Sequence, residues 1–306
     1  MALRDIKRRI RSVKNTAQIT KAMEVVSATK MRKSQAHALA GRPYAIAALD
    51  ILKNISERSS VKPSLLEERK VRRTILVVIT SDRGLAGAFN ANVIRMAERW
   101  LREHRSEPSS VVSVGKKAAL YFASHNIKPL RSFSDYGDYV SRRETEPLAN
   151  FLIQGFLTRE WDRTIVFYTN FRTTLRQEAR MIEVLPIHVK KIEETIRAIT
   201  PEYGRFAEPG HTADQLRYHY EYAFEPNPTA VLKRLVPTLF KIQLHHIVLE
   251  SNASEHSARM VAMKNASENA NDLIGELTIS YNKARQAGIT RELTEITAGS
   301  EAITDE

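Results

Sequence analysis

The sequence predicts an α/β chain in which two long terminal helices enclose a smaller domain of alternating strands and helices. Three observations carry that expectation. The first is an unbroken helical pattern over the first forty residues, with no glycine before Gly41 and no proline before Pro43. The second is a four-three apolar register from Leu235 to Ala284. The third is the middle of the chain, where β-branched runs alternate with amphipathic stretches. Sustained four-three spacing marks a coiled coil, and strand–helix alternation marks a mostly parallel sheet covered on both faces.

At the N-terminus, Leu3, Ile6, Ile10 and Val13 alternate spacings of three and four, continued by Ala17 and Thr20. A neighbouring row of Ile19, Met23 and Val26 is expected to take over, so that the stripe drifts around the helix. The helix is expected from about residue 3 to about residue 57, bent near Gly41-Arg42-Pro43, on the order of 80 Å at 1.5 Å per residue. Such a helix needs a partner of similar length. The C-terminal register supplies it, reading Leu235, Leu239, Ile242, His246, Leu249, Ala253, His256, Met260, Met263, Ser267, Ala270, Ile274, Leu277, Tyr281 and Ala284. Asn227 caps its start and Pro228 suits the first turn. Small residues crowd the stretch from Ser251 to Ala270, which permits close helix approach.

Between the ends, strands are expected at Thr74–Thr80, Val111–Val114 and Thr164–Asn170, with a further one at Gln177–Ile187. Helices are expected at Ala88–Arg105, Lys116–His125 and Glu144–Arg159. These form a Rossmann-like α/β domain of roughly 130 residues. Ser59–Arg73 leads into it, and Pro201–Pro226 is an irregular exit with a short strand at Tyr218–Phe224. The domains are therefore 1–58, 59–227 and 228–306.

The net charge of +12 is unevenly spread. Residues 1–33 hold ten Lys/Arg against Asp5 and Glu24, whereas residues 285–306 hold Arg285 and Arg291 against five carboxylates. A basic face implies an acidic partner: nucleic acid, anionic lipid or an acidic protein surface. The first aromatic residue is Tyr44, so the basic helix lacks the stacking groups of single-strand binders, while a helix in a DNA groove stays open as an alternative. There is no cysteine, hence no disulfide or thiolate metal site. No apolar run reaches membrane-spanning length. No secretory signal follows Met1, so mature protein is expected from residue 1.

Chemical candidates are few. Ser81-Asp82-Arg83-Gly84-Leu85-Ala86-Gly87 joins a strand to a helix, where phosphate cradles are often built. It matches neither G-x-G-x-x-G nor G-x-x-x-x-G-K-[ST], lacks a phosphate lysine, and carries Asp82, which would repel a phosphate. A tight turn with glycine at positive φ is the expectation. His246 and Glu250 offer two metal ligands without a third, so a polar pair in a coiled-coil seam is expected. No catalytic residue, cofactor or metal site is expected.

Four stretches resemble one family. "ITKAMEVVSATKMRKSQ" (Ile19–Gln35), "ITSDRGLAGAFNANV" (Ile79–Val93), "SARMVAMKNASENA" (Ser257–Ala270) and "YNKARQAGITRELTEITAGSEA" (Tyr281–Ala302) are similar to the gamma subunit of F-type ATP synthase, in order and with matching spacing. Ile289, Thr290, Glu292, Glu295 and Gly299 match the C-terminal signature, with Ser300 where alanine is usual. The resemblance implies an antiparallel coiled-coil rotor shaft inside a ring of alpha and beta subunits. Its α/β foot would lie against the epsilon subunit and the c-ring, without nucleic acid and with only indirect membrane association. It implies a subunit with no catalytic site of its own, transmitting ring rotation driven by the proton gradient to ATP synthesis, or the reverse. It places the chain on the cytoplasmic face of a bacterial inner membrane rather than in a mitochondrial matrix. By family position, Lys21, Met23, Lys30, Arg32 and Lys33 would face beta-subunit levers. Arg259, Arg285, Gln286, Thr290 and Glu292 would meet loops around the shaft, with Ile296 and Ala298 at the apical bearing. Read as residues alone, each of these fits a solvated face or an ordinary seam position. The Pro201–Pro228 region looks longer than in typical bacterial members, and the regulatory cysteine pair of the chloroplast branch is missing.

Overall fold

The structure, a computed structural model, describes residues 3–58, 63–188, 225 and 227–304. Of the expected features, the Tyr218–Phe224 strand and nearly all of the Pro201–Pro226 exit lie outside the described residues. The described elements are α1 (Leu3–Ala40), α2 (Arg42–Arg58), a 3-10 turn (Ser64–Leu66), β1 (Thr74–Ile79), α3 (Phe89–Glu103) and β2 (Ser109–Val114). They continue with α4 (Lys116–Ser124), β3 (Arg131–Phe133), α5 (Arg142–Leu157), β4 (Arg163–Phe171), β5 (Gln177–Leu185) and α6 (Pro228–Thr304). The chain divides into two compact units, Met1–Val26 with Met260–Glu306, and Ser27–Arg259.

The Ser27–Arg259 unit is built on a five-stranded sheet of order β3-β2-β1-β4-β5. β3, β2, β1 and β4 run parallel, and β5 folds back antiparallel on β4. All six residues of β1 are buried, as a strand covered on both faces requires. Alternation sorts its side chains. Leu76 and Val78 pack with Val111, Ile165 and Phe167 against Val93, Ala97 and Trp100 of α3 and Ala118 and Phe122 of α4. Ile75, Val77 and Ile79 pack on the other face against α2, α5 and the first part of α6. Chain order explains the division. α3 and α4 carry the chain outward from β1 to β3, and α5 carries it back past β1 to β4. Right-handed crossovers put those two directions of travel on opposite faces.

β3 escaped the sequence reading because its three residues are exposed or half-buried and carry no apolar pattern. The 3-10 turn lies inside what reads as the Ser59–Arg73 lead-in, and the remaining strands and helices fall within a few residues of expectation. α1 stops at Ala40, and α2 begins after Gly41 with Pro43 in its first turn, where a missing N–H costs nothing.

The drift of the N-terminal stripe is a correction. Ile19 is 61% exposed and Val26 52%, and Met23 is only half-buried. The buried line instead keeps strict four-three spacing. In one unit it runs through Ile6, Ala17 and Thr20, with Ile10 and Val13 half-buried; in the other it runs through Ser27, Met31, Ser34 and Ala38. Small and hydroxyl residues occupy this seam because the facing helix comes close. Ser34 Oγ donates to Asn252 Oδ1 at 2.7 Å, and Ser267 Oγ to the Ala17 carbonyl at 3.5 Å. Within the Ser27–Arg259 unit, Lys30 lies near His256, Ser34 meets Asn252, and His37 lies near His245. Ascending numbers on α1 meet descending numbers on α6, so the pair is antiparallel.

Every position of the C-terminal register is at least partly shielded, from Leu235 to Ala284. The neighbours are not those of a simple two-helix seam throughout. Leu232, Val236, Leu239, Phe240, Leu244, Ile247 and Val248 of α6 belong to the core on the α5 side of the sheet. This part of the helix is therefore also a layer of the α/β sandwich, and Phe240 and Leu244 are fully enclosed off the register.

Candidate functional site

The loop after β1 sits where α/β proteins commonly bind phosphate, at the carboxyl ends of parallel strands. Here a side chain of the protein occupies that position. Asp82 Oδ1 accepts from the backbone N of Lys116, the first residue of α4, and Asp82 Oδ2 accepts from the N of Asp135, each at 2.9 Å. A carboxylate on a helix N-terminus satisfies the same donors and dipole that would attract a phosphate. Around it, Lys116 Nζ pairs with Asp135 at 2.5 Å; that bond raises the lysine pKa and lowers the aspartate's. Asn90 Oδ1 accepts from Ser81 N at 2.9 Å, and Ser81 Oγ donates to the Arg83 carbonyl at 2.6 Å. Gly87 takes positive φ as expected (54°), and the second left-handed residue is Leu85 (63°), not Gly84. Removing the carboxylate in Asp82→Ala strands two N–H groups and is expected to cost about 1–2 kcal/mol. Thermal unfolding of the full chain measures it, and Asp82→Asn, retaining one acceptor, should lose less.

The same loop holds α6. Arg259 lies largely buried and its guanidinium points inward, with Nη2 3.3 Å from the Gly84 carbonyl and 2.6 Å from Glu255 Oε1. Burial pushes the Glu255 carboxyl up, against the pull of Arg259. Burial, then the Arg259 charge, pushes His256 down to about 4. Across from it, Lys30 Nζ meets Asp138 Oδ2 at 2.8 Å. The Asp138 loop is pinned by Glu144, whose Oε1 accepts from Gly137 N at 2.8 Å and whose Oε2 accepts from Ser141 N at 2.6 Å. Lys33 Nζ stands 5.2 Å from the centre of the Tyr139 ring, and Arg32 is exposed. Tertiary structure thus gathers Lys30, Lys33 and Arg259 with partners that sequence reasoning did not name: Asp138, Tyr139, Glu255 and the Gly84 carbonyl. Asp138 and Tyr139 carry no sequence signal, because a hundred residues separate them from Lys30.

In the other unit, Lys21 is exposed and pairs with Glu24 at 2.9 Å, beside half-buried Met23. On α6, every described side chain from Arg285 to Thr297 is exposed, including Gln286 and Glu292. Thr290 Oγ1 donates to the Gln286 carbonyl at 3.0 Å, and Arg291 pairs with Glu295 at 3.0 Å. Ile289, Leu293 and Ile296 are 50%, 57% and 68% exposed and follow four-three spacing on one face. Leu293 was not singled out from sequence, although that spacing was there to find. Ala298 lies within α6, but its side chain is outside the described residues.

Among the described residues no three His, Cys, Asp or Glu side chains gather to hold a metal ion, and no helix is long and apolar enough to cross a membrane.

A family model described as ATP synthase matches residues 2–303. The ATP synthase gamma chain of Geotalea uraniireducens is 38% identical over 305 residues, covering 99% of both chains. That of Geotalea daltonii is 39% identical with the same coverage. In fold, the chain is similar to one in the cryo-EM structure of the Euglena gracilis mitochondrial ATP synthase, OSCP/F1/c-ring, rotational state 3. The TM-score is 0.65 at 24% identity, over 98% of this chain and 94% of that one. Agreement along essentially the whole length, with relatives of matching size, settles the family: the chain belongs to the ATP synthase gamma chains.

Proposed function

We propose that this chain is the non-catalytic rotor shaft of an F-type ATP synthase. It couples rotation of a c-ring, driven by the proton gradient, to ATP synthesis at sites on other subunits, and runs in reverse during ATP-driven pumping. The observation that carries this reading, beyond family membership, is the bare helical stretch from Arg285 to Thr297. It exposes isoleucine and leucine on one face with no partner layer among the described residues, as a surface meant for a surrounding protein would. Its partners are alpha and beta subunits around the shaft, and the epsilon subunit and c-ring at the foot. In this reading residues 1–58 and 228–306 supply the shaft and 59–227 the foot. The relatives' bacterial sources support a place on the cytoplasmic face of the inner membrane. The basic N-terminal helix then serves acidic protein loops, and the nucleic-acid alternative has no support from the relatives.

The shaft contacts are Lys21, Met23, Lys30, Arg32 and Lys33 on α1, and Arg285, Gln286, Thr290 and Glu292 on α6, with Ile296 and Ala298 at the apical bearing. Arg259 contributes from inside, by holding the Arg83–Gly84 loop on α6. Exposed ion pairs are worth at most about 1 kcal/mol, which suits contacts made and broken at every step.

Affinity purification of the tagged chain from detergent-extracted membranes tests the assignment. Two larger nucleotide-binding subunits should co-purify, and salt-eluted DNA or RNA without them would overturn it.

Met23→Lys tests the shaft contacts. A lysine here adds a charge next to Lys21 on a face turned to acidic loops, where a charge-assisted bond is worth about 1–3 kcal/mol. The expected result is an assembled complex that keeps some ATP hydrolysis but pumps fewer protons per ATP. Hydrolysis and ATP-driven acidification are measured together in inverted vesicles. Equal loss of both, or of neither, counts against the contact.

A further inference from the structure

The loop of residues 134–141, between β3 and α5, is fixed from three sides within the sheet domain. Asp135 N donates to Asp82 Oδ2, the Val140 side chain is buried in the core on the α5 side, and Glu144 accepts from Gly137 N and Ser141 N. Its two middle residues, Asp138 and Tyr139, are thereby held toward α1. Lys30 Nζ meets Asp138 Oδ2 at 2.8 Å, and Ser34 Oγ stands 3.5 Å from the Asp138 carbonyl oxygen. Lys33 Nζ lies 5.2 Å from the centre of the Tyr139 ring, and the His37 ring lies 6.0 Å from it. Lys30, Lys33, Ser34 and His37 stand at i, i+3, i+4 and i+7, so they share one face of the helix. The seam of α1 with α6 offers little other hold here. Of its buried residues in this unit, Ser27, Met31, Ser34 and Ala38, only Met31 is long, and methionine is flexible. Short side chains give few knobs to stop one helix from sliding or rolling on another.

We propose that the 134–141 loop is a register lock, with Asp138 and Tyr139 as positioning residues. It fixes α1 against the foot in rotation and along its axis, so that torque on the sheet enters α1 as well as α6. The proposal rests on the rotor-shaft reading and adds to it the residues inside the chain that carry load from foot to shaft. α6 needs no such device, because from Leu232 to Val248 it contributes a layer of the sheet's own core. α1 reaches that core at Ala38 and, past the break at Gly41, through α2. A helix attached through a bend and a smooth seam turns under load unless its outer face is held. The Lys30 and Asp138 side chains are 25% and 51% exposed, so their pair is weak taken singly. Four contacts on one face act together, and the loss of the ion pair tells when load is applied. Lys30 and Lys33 then have an inward duty besides any contact with a surrounding subunit.

The test is a charge exchange in the assembled complex. Asp138→Lys removes the pair and sets a like charge beside Lys30, and adding Lys30→Asp restores the pair with its signs exchanged. ATP hydrolysis and ATP-driven acidification are measured in inverted vesicles, with and without a protonophore. With the protonophore, which removes the load, Asp138→Lys should hydrolyse ATP at the wild-type rate. Without it, acidification per ATP should fall roughly two- to fivefold, the factor that an ion pair of this exposure contributes to an equilibrium. The exchanged pair should return pumping toward wild type, and Tyr139→Ala, which keeps the pair, should lie between. Hydrolysis lost equally with and without load would mark a merely structural role and overturn the lock, as would wild-type pumping in Asp138→Lys. An exchanged pair no better than Lys30→Asp alone also overturns it, because Lys30 would then answer to a charge on another subunit. Should Asp138→Lys fail to assemble, Asp138→Asn keeps the outline, drops the charge and decides by the same comparison. Failure of the wild-type chain to enter the complex at all overturns the rotor-shaft reading, and this proposal with it, before any variant is made.

Discussion

Gly115→Ala is expected to destabilise the chain by about 3 kcal/mol or more. Gly115 lies between β2 and α4 with φ 89°, a conformation that side chains avoid. A Cβ added there would stand 2.2 Å from the Thr80 carbonyl oxygen and 2.7 Å from its carbon. Neither atom can move cheaply. Thr80 N donates to the Val114 carbonyl and Gly115 N to the Phe133 carbonyl, each at 2.8 Å, so the ends of three strands are tied at this point. Backbone strain of about 1–3 kcal/mol adds to the overpacking. The displaced strand ends would also pull Asp82 from the α4 N-terminus. For a chain of this size the melting temperature should fall by roughly 6–12 °C. Gly275→Ala is the control. That glycine is helical with nothing within 4 Å of an added Cβ, and the substitution should raise stability by up to about 1 kcal/mol. Equal effects of the two substitutions would mean that Gly115 is not clamped as described.

Stability is also expected to fall between pH 6.5 and about 4, through two histidines of α6. Burial, followed by the charges of His246 and Arg142, pushes His245 down to about 4; burial, followed by Arg259, does the same to His256. In the unfolded chain each would titrate near 6.5. Within that window the unfolded state binds more protons than the folded one, so stability rises with pH and is lost on acidification. A fall from 6.5 to about 4 corresponds to roughly 3 kcal/mol for each histidine as an upper figure. Glu255 works in the opposite sense. Its raised pKa makes the folded state hold a proton that the unfolded state releases, which offsets part of the loss at the acid end. Urea midpoints measured across the window should decline steeply for the native chain. His245→Asn with His256→Gln should flatten the curve while lowering the plateau near neutrality. A native curve that is already flat would mean that both imidazoles reach water.

Periodicity and composition determined the elements and their order. β-branched runs bounded by turns placed β1, β2 and β4. The four-three register of α6 was legible to its last shielded residue, Ala284, because apolar and small side chains alternate there with little interruption. The family motifs were legible too, being stretches of fixed identity in fixed order. What the tertiary structure alone decided is which neighbour covers each position. Ser27 and Ser34 carry no apolar signal in sequence, yet they line the α1 seam, because a facing helix approaches closely only where side chains are small. Ile19 and Val26 read as a buried stripe, yet they stand exposed, because burial follows the partner's position and not hydrophobicity. Phe240 and Leu244 lie off the coiled-coil register and are still enclosed, since the sheet covers a second side of α6. Asp82 was read as a charge that would repel a phosphate. Only the fold brings the N-terminus of α4 and the N–H of Asp135 to it, turning that charge into the acceptor that fills the site. In each case the deciding contact joins residues far apart in the chain. Local patterns record the propensity of a segment, whereas the cost or gain of burying a group depends on what stands opposite it.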